Sequence, residues 1–153
     1  MPTLHWLNDQ EARKTSSQIP YRLLEADPKL SYGDSNSENM LIQGDNLEDL
    51  KALLPYYAGQ VKCIYIDPPY NTANAFEHYD DNLEHTIWLS LMYARLELLQ
   101  QLLSEEGTIA IHLDAEELAY ATVIMDEIFG RRNRVNLVTF KQGARSLSTP
   151  MRR

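Results

Sequence analysis

The sequence predicts an α/β protein whose open, mainly parallel sheet lies between layers of helices in a three-layer arrangement. From Met40 onward, apolar runs of strand length alternate with stretches that have the 3.6-residue periodicity of helices. Glycines and helix-capping residues separate these stretches. Alternation of this kind is typical of β-α-β units with parallel strands and right-handed crossovers. The 153 residues suit a single domain.

The first predicted unit runs from a short strand to a long one. Met40–Gln43 is predicted as a strand, Gly44 as a tight turn, and Asp45 with Asn46 as the N-cap of a helix. The helix carries its apolar face on Leu47, Leu50, Leu53 and Leu54. Val61–Ile66 follows as a buried strand, which predicts that Cys63 is a buried, inert thiol.

A second helix and strand come next. Apolar residues at helical spacing predict a helix that includes Ile87, Leu91, Ala94, Leu98 and Leu102. Gly107 is predicted to end this helix, because glycine is unfavourable in a helix interior. Trp88 and its aromatic and methionine neighbours are assigned to core packing. Thr108–Leu113 is predicted to be the following strand.

The last predicted unit starts at Asp114, which is expected to cap a helix together with Glu117 in a variant capping box. That helix is predicted to span Ala115–Phe129 and to end at Gly130, where a left-handed C-cap is easiest for glycine. Val135–Phe140 is predicted as one more strand.

The sequence Asp67-Pro68-Pro69-Tyr70 directly follows the Val61–Ile66 strand. Ligands of open α/β sheets bind outside the carboxyl ends of such strands. The prolines restrict the backbone, and their carbonyls are expected to remain free as acceptors beside the Asp67 carboxylate, which suits an amino group. Tyr70 supplies a stacking face. The structural alternative is a proline turn with a surface tyrosine.

With Asn71 and Thr72 behind it, this motif resembles the catalytic motif of amino-methylating (N4/N6) DNA methyltransferases. The order of elements across residues 39–140 is similar to that of the family's β order. The stretch Ile124–Gly130 with Asn133 is similar to modification subunits of type III restriction systems. The resemblance therefore implies a fold of the S-adenosylmethionine-dependent methyltransferase type, present here in its catalytic half.

The resemblance also implies a mechanism. Asp67, Pro68, Pro69 and Tyr70 would be catalytic: Tyr70 stacks on a flipped base, while the Asp67 carboxylate and the Pro68 carbonyl accept hydrogen bonds from its amino group. The nitrogen then attacks the methyl group of S-adenosylmethionine. Aspartate at the first position favours adenine over cytosine and argues against protein glutamine. Asn71, Phe76 and Tyr79 are candidate contacts to the base, although the two loop aromatics could equally be loop anchors.

The same resemblance places Asp45, Asn46 and Asp67 beside the cofactor. A simple helix-capping role for Asp45 remains open. The family's glycine-rich loop, Phe-x-Gly-x-Gly, does not occur in this sequence, whose six glycines include no Gly-x-Gly. A complementary chain that carries the loop is therefore an expected partner, and the chain is expected to be a fragment. The alternative is an inactive remnant that acts as an assembly or interaction module.

Charge is distributed unevenly along the chain. The net charge is −8, yet every acidic residue precedes Arg131. The segment from Arg131 to Arg153 holds only basic charges, which predicts contact with the phosphates of double-stranded DNA, unless it is simply a solvated tail. We accordingly divide the chain into a polar, partly helical extension (1–38), the catalytic part (39–140) and a basic tail that begins a truncated recognition region (141–153).

Several kinds of site and location are disfavoured. The histidines are too scattered for a zinc pattern, and no Cys-x-x-Cys is present, so no metal site is predicted. One cysteine excludes a disulfide within the monomer. The absence of a long apolar run or a signal-peptide pattern predicts a cytoplasmic protein without a membrane anchor. A restriction subunit and a second copy of the chain are the other candidate partners.

Overall fold

The computed structural model describes residues 3–34, 36–71 and 85–140. Within these residues the elements, in chain order, are α1 (Asp9–Gln18), α2 (Asn46–Tyr57), β1 (Val61–Ile66), α3 (His85–Leu102), β2 (Leu103–Ile111) and α4 (Ala115–Met125). A π-helical turn, Asp126–Gly130, and a 3-10 turn, Arg131–Asn133, continue α4.

The two strands form a parallel pair, as the alternation of strands and helices predicted. β1 pairs with β2 in a register that places Ile66 opposite Ile111, with a bulge between Val61 and Cys63. The chain reaches β2 from β1 by way of α3, which is the predicted β-α-β connection. Because the strands are parallel, their carboxyl ends lie at the same edge of the sheet.

The core lies between one face of this sheet and the helices. Ile64 of β1 packs with Trp88, Met92 and Leu96 of α3 and with Ile124 of α4. A second cluster joins α2 to the other end of α3 and consists of Leu54, Leu98 and Leu102. In the described part of the chain, no helix is long and apolar enough to span a bilayer.

The opposite face of the sheet is uncovered by the described residues. Tyr65 of β1 is 67% exposed, and Thr108 and Ala110 of β2 are also exposed. The described residues therefore form a mixed α/β arrangement with a small parallel sheet, and they do not include the full three-layer sheet that the sequence predicted. Cys63 is exposed as well, so its predicted burial was wrong. Burial of a strand on both faces requires a second layer.

Two predicted strands are not observed in the described part of the chain. Met40–Gln43 and Val135–Phe140 are extended or irregular, and neither pairs with a strand among the described residues. Leu41 is 99% exposed and Val135 is 91% exposed. Their apolar, β-branched sequences resemble strands, but a strand exists only when a neighbour satisfies its backbone donors and acceptors.

The role of Gly107 was also predicted wrongly. Helix α3 ends at Leu102, and Gly107 lies inside β2, where a side chain would not fit: an added Cβ would meet Leu103 Cδ1 at 2.7 Å and the Val61 carbonyl oxygen at 2.8 Å. Gly130 has the predicted positive φ, 88°, where the helical segment after α4 ends, but its ψ of 128° lies outside the left-handed helical region of the predicted C-cap.

The segment before residue 39 contains a helix that packs on the body. Helix α1 lies against α3, and Arg13 of α1 donates to the Tyr93 hydroxyl at 2.8 Å and to Glu127. The Trp6 indole donates to Ser90 at 2.8 Å. These contacts join the start of the described chain to the helix that connects the two strands.

Replacement of Gly107 by alanine is expected to lower the free energy of unfolding by about 1–3 kcal/mol, because the added methyl group overlaps a backbone oxygen that cannot move away freely. The measurement is urea unfolding followed by circular dichroism. Glu106→Ala, an exposed neighbour in the same strand, is the matched control. An unchanged urea midpoint for Gly107→Ala would contradict the close approach of the two strands.

Candidate active site

The Asp67-Pro68-Pro69-Tyr70 motif begins where β1 ends, at the carboxyl edge of the parallel pair. The pairing continues one step beyond the strands, since the His112 amide donates to the Ile66 carbonyl at 2.9 Å. Asp67 and His112 are consequently the first residues past the paired ends of two adjacent strands. This edge is where ligands of open α/β sheets bind.

Three side chains form a compact network at this edge. The Tyr70 hydroxyl donates to Asp67 Oδ1 at 2.6 Å. The Nδ1 atom of His112 lies 2.8 Å from the Tyr70 oxygen and 3.2 Å from Asp67 Oδ1. The Tyr70 hydroxyl already donates its proton to Asp67, so the Tyr70 oxygen can only accept from His112. This arrangement fits a His112 ring that carries its proton on Nδ1 and donates toward both oxygens. Phe140 stacks on the His112 ring, with centroids 5.3 Å apart.

The network controls the protonation of Tyr70. The hydrogen bond to the Asp67 carboxylate, together with burial, raises the pKa of Tyr70 to about 12. The tyrosine is therefore a neutral donor in this arrangement. One consequence is that Asp67 Oδ1 already accepts a hydrogen bond from Tyr70, so an amino group that is to bind at that oxygen must displace the tyrosine hydroxyl.

The second proline of the motif is fixed by the core. The indole of Trp88, which is fully buried, donates to the Pro69 carbonyl at 2.7 Å. The expectation that both proline carbonyls remain free was therefore wrong for Pro69. Within residues 3–34, 36–71 and 85–140, no donor reaches the Pro68 carbonyl. Trp88 thus combines the predicted packing role with control of the motif's backbone.

Asn71, the residue after the motif, is held in an unusual conformation. Its φ is 61°, a left-handed value that asparagine tolerates better than most residues. Its side-chain amide donates to Glu117 Oε1 at 2.5 Å, and the Nδ1 atom of His85 lies 2.7 Å from the same oxygen. Only half of the predicted capping box is observed. Asp114 caps α4 by accepting from the Ala115 amide, whereas the Glu117 carboxylate contacts Asn71 and His85 instead.

Of the three predicted cofactor residues, Asp45 and Asn46 lie at the start of α2, and Asp67 follows β1. Asp45 caps this helix by accepting from the Leu47 amide at 2.9 Å, so the capping role that the sequence left open is observed. Arg95 of α3 donates to Asn46 Oδ1 at 2.7 Å and lies 3.9 Å from Asp45. No hydrogen bond or ion pair joins these residues to Asp67 in the described part of the chain.

Asp45 retains the capacity to bind a ligand. Its side chain is 64% exposed, and both of its polar contacts fall on Oδ1. The other carboxylate oxygen is free of contacts from the described residues and suits a hydroxyl donor such as those of a ribose. The residues present therefore fit an adenosine-type cofactor at this one position, and no described residue takes the part of a glycine-rich loop.

Several predicted residues lie outside the part of the chain that the structure describes. Phe76 and Tyr79, the candidate base contacts, fall within residues 72–84, and the basic tail falls within residues 141–153.

Of the basic residues before that tail, Arg131 donates to Asp126 at 2.8 Å, and Arg134 lies 3.5 Å from the same carboxylate. Among the described residues, no cluster of three or more His, Cys, Asp or Glu side chains suits a metal.

Sequence reasoning missed His112, Glu117 and the backbone role of Trp88. His112 had a usable signal, since it lies near the carboxyl end of the strand predicted after the motif strand, and parallel strand ends meet at one edge. Glu117 had none, because an acid in the first turn of a helix is ordinarily explained by capping and by the helix dipole.

The titration of Tyr70 tests the network. The folded protein holds the Tyr70 proton more tightly than the unfolded chain, so stability from this contact is present below about pH 10 and is lost as the pH rises toward about 12. The tyrosinate absorbance of the wild type minus that of Tyr70→Phe should give a midpoint of about 12. Asp67→Asn should lower this midpoint. A wild-type midpoint at the ordinary tyrosine value would contradict the hydrogen bond.

Comparison with known proteins relates this site to one family. A family model described as DNA methylase, of the N6/N4 type, matches residues 61–151. The chain is 46% identical over 105 residues to the probable type III restriction-modification enzyme HindVI Mod subunit of Haemophilus influenzae, covering 69% of this chain and 14% of the relative. It is 34% identical over 171 residues to the EcoP15I Mod subunit of Escherichia coli, covering 91% of this chain and 27% of the relative.

A type II enzyme is similar as well. The type II methyltransferase M.EcaI of Enterobacter cloacae is 37% identical over 117 residues, covering 72% of this chain and 26% of the relative. The chain thus spans between about a seventh and a quarter of the length of these relatives. The matched region includes the motif strand, α3, β2 and the Asp67–Tyr70 motif. On these grounds, the chain belongs to the N6/N4 DNA methylase family.

Proposed function

We propose that this chain is the catalytic half of a site-specific DNA methyltransferase that modifies the amino group of adenine in a restriction-modification system. The observation that carries the proposal is the position of Asp67-Pro68-Pro69-Tyr70 at the carboxyl end of β1, beside the end of the parallel strand β2. A carboxylate, a carbonyl and an aromatic ring at this edge suit a planar ring that bears an amino group.

The base would enter the site from outside the duplex. Flipping a nucleotide costs a few kcal/mol, which stacking and hydrogen bonds in the pocket offset. Tyr70 would leave its hydrogen bond to Asp67 and stack on the base, and Asp67 together with the Pro68 carbonyl would accept from the amino group. These two acceptors oppose delocalisation of the nitrogen lone pair into the ring. Alignment of the reactants can contribute about 7–11 kcal/mol to lowering the barrier.

S-adenosylmethionine is the proposed methyl donor. When bound, it supplies an electrophilic methyl group on a sulfonium centre. Asp45, through its exposed carboxylate, and Asn46 would hold the adenosine part of the cofactor. Asp67 would lie next to the methyl group, where it meets the amino group of the target base. Arg95 would keep Asp45 and Asn46 in place, since it contacts both from α3.

Double-stranded DNA is the proposed macromolecular substrate, with its phosphates contacted by the basic segment after residue 130 and its modification taking place in the cytoplasm. A chain that carries the glycine-rich loop is the proposed partner, with a restriction subunit and a second copy as further candidates. The sheet face that the described residues leave uncovered, which includes Tyr65, supports a partner of this kind, because large exposed apolar surfaces commonly mark interaction sites.

The test is transfer of a radiolabelled methyl group from S-adenosylmethionine to DNA taken from a host that lacks DNA methylation. The chain should be assayed alone and after mixing with a polypeptide that carries a Phe-x-Gly-x-Gly segment. We expect the mixture to methylate adenine and Asp67→Ala to abolish the transfer, because the amino group then loses its main acceptor.

Glu105→Ala is the control for this experiment, since Glu105 is an exposed acid on β2, away from the carboxyl edge of the sheet. The control should retain the wild-type rate. A rate that Asp67→Ala leaves unchanged would refute the catalytic assignment. If calorimetry detects no binding of S-adenosylmethionine, with or without the second polypeptide, the chain is an assembly module instead, for which the uncovered sheet face is the supporting observation.

A further inference from the structure

One buried carboxylate contacts residues on both sides of the segment that follows the motif. Glu117, in the first turn of α4, has no exposed surface. Its Oε1 atom lies 2.5 Å from the Asn71 side-chain amide and 2.7 Å from His85 Nδ1. Asn71 directly follows the motif, and His85 is the first residue of α3. A single oxygen therefore connects two points that the sequence separates.

The burial of this carboxylate is energetically unfavourable by itself. A charge that leaves water loses its hydration, and Glu117 Oε2 lacks a hydrogen-bond partner among the described residues. The start of α4 offsets part of this cost, because the positive end of a helix dipole favours a carboxylate in the first turn. An apolar side chain at this position would avoid the cost, so packing alone does not account for glutamate here.

The chemistry of Asn71 matches this contact. A φ of 61° is a conformation that most side chains disfavour, and asparagine is among the residues that adopt it most readily. Asn71 thus combines this backbone conformation with a side-chain hydrogen bond to α4, and it directly follows Tyr70, which lies beside Asp67.

The contact between Glu117 and His85 links the carboxylate to a second part of the motif, the Pro69 carbonyl. His85 begins the helix whose Trp88 donates to the Pro69 carbonyl. Glu117 therefore reaches the motif by two routes: directly through Asn71, and through the start of α3 to Pro69. Both routes converge on the two prolines and Tyr70, whose positions decide where an amino group meets Asp67.

We propose that Glu117 is a positioning residue, which fixes Asn71 and the start of α3 and thereby sets the positions of Tyr70 and the Pro68 carbonyl relative to Asp67. The inference rests on the proposed methyl transfer for its functional part. Its structural part concerns only the contacts of Glu117 and holds whatever the substrate.

The variants are Glu117→Gln, which keeps the shape and one acceptor, and Glu117→Leu, which removes both acceptors. Glu116→Gln and Glu116→Leu are the matched controls, since Glu116 is the exposed neighbour in the same helical turn. Circular dichroism first verifies that each variant is folded. Glu117→Gln keeps the test informative if the leucine variant does not fold.

The first measurement is nuclear magnetic resonance of the Asn71 side-chain amide. In the wild type, one amide proton should be shifted downfield and protected from exchange by the carboxylate. Glu117→Leu should abolish both effects, Glu117→Gln should weaken them, and the Glu116 variants should leave them unchanged. The Tyr70 titration should move in parallel, because a displaced Tyr70 loses its hydrogen bond to Asp67.

The second measurement separates positioning from general stability. In the methyl-transfer assay, Glu117→Gln should lower kcat while leaving the KM for S-adenosylmethionine unchanged, because misplacement of reacting groups by about 1 Å can cost about 100-fold in rate. Asn71→Gly should retain the backbone conformation but lose the amide, with a similar loss in kcat. Asn71→Asp should be more severe, because it places two carboxylates next to each other.

The outcomes distinguish the inference from the function on which it rests. Unchanged Asn71 and Tyr70 signals in Glu117→Leu would overturn the positioning role, whatever the activity. Equal losses for the Glu116 and Glu117 variants would overturn it too. Altered signals together with an Asp67→Ala variant that transfers methyl groups normally would leave the positioning intact and refute the proposed function.

Discussion

The parallel pairing of β1 and β2 is the constraint on which the rest of the structure depends. With Ile66 opposite Ile111, the two strands end together, and the next hydrogen bond joins His112 to Ile66. Asp67 and His112 are thereby adjacent although they are far apart in the sequence. A register shifted by one residue would turn every side chain of one strand to the opposite face of the sheet and offset the two strand ends.

Helix α3 makes this edge rigid. It supplies much of the core beneath β1, and its first turns carry Trp88, whose indole holds the Pro69 carbonyl. About two helical turns farther along, Arg95 contacts Asp45 and Asn46. The same helix therefore contacts the proposed base-binding motif and the proposed cofactor residues. Its packing against the sheet fixes the distance and orientation between these two groups of residues. Rigid support of this kind is what positions reacting groups.

Local patterns predicted the elements that have a signal within their own residues. The β1 strand, the leucine stripe of α2, the cap at Asp114 and the positive φ of Gly130 all follow from periodicity or backbone preference. Met40–Gln43 and Val135–Phe140 have equally good strand sequences but find no neighbour among the described residues. Pairing is a property of two segments, so one segment's composition cannot determine it.

By itself, the sequence determined the motif, the alternation of strands and helices, and hence the family to which the chain belongs. The tertiary structure decided how the motif is held. Tyr70 is bound to Asp67 and His112, Pro69 to Trp88, and Asn71 to Glu117, each through a hydrogen bond of 2.5–2.8 Å. Such bonds depend on directions and distances between side chains on different elements, which packing creates and which no spacing along the chain encodes.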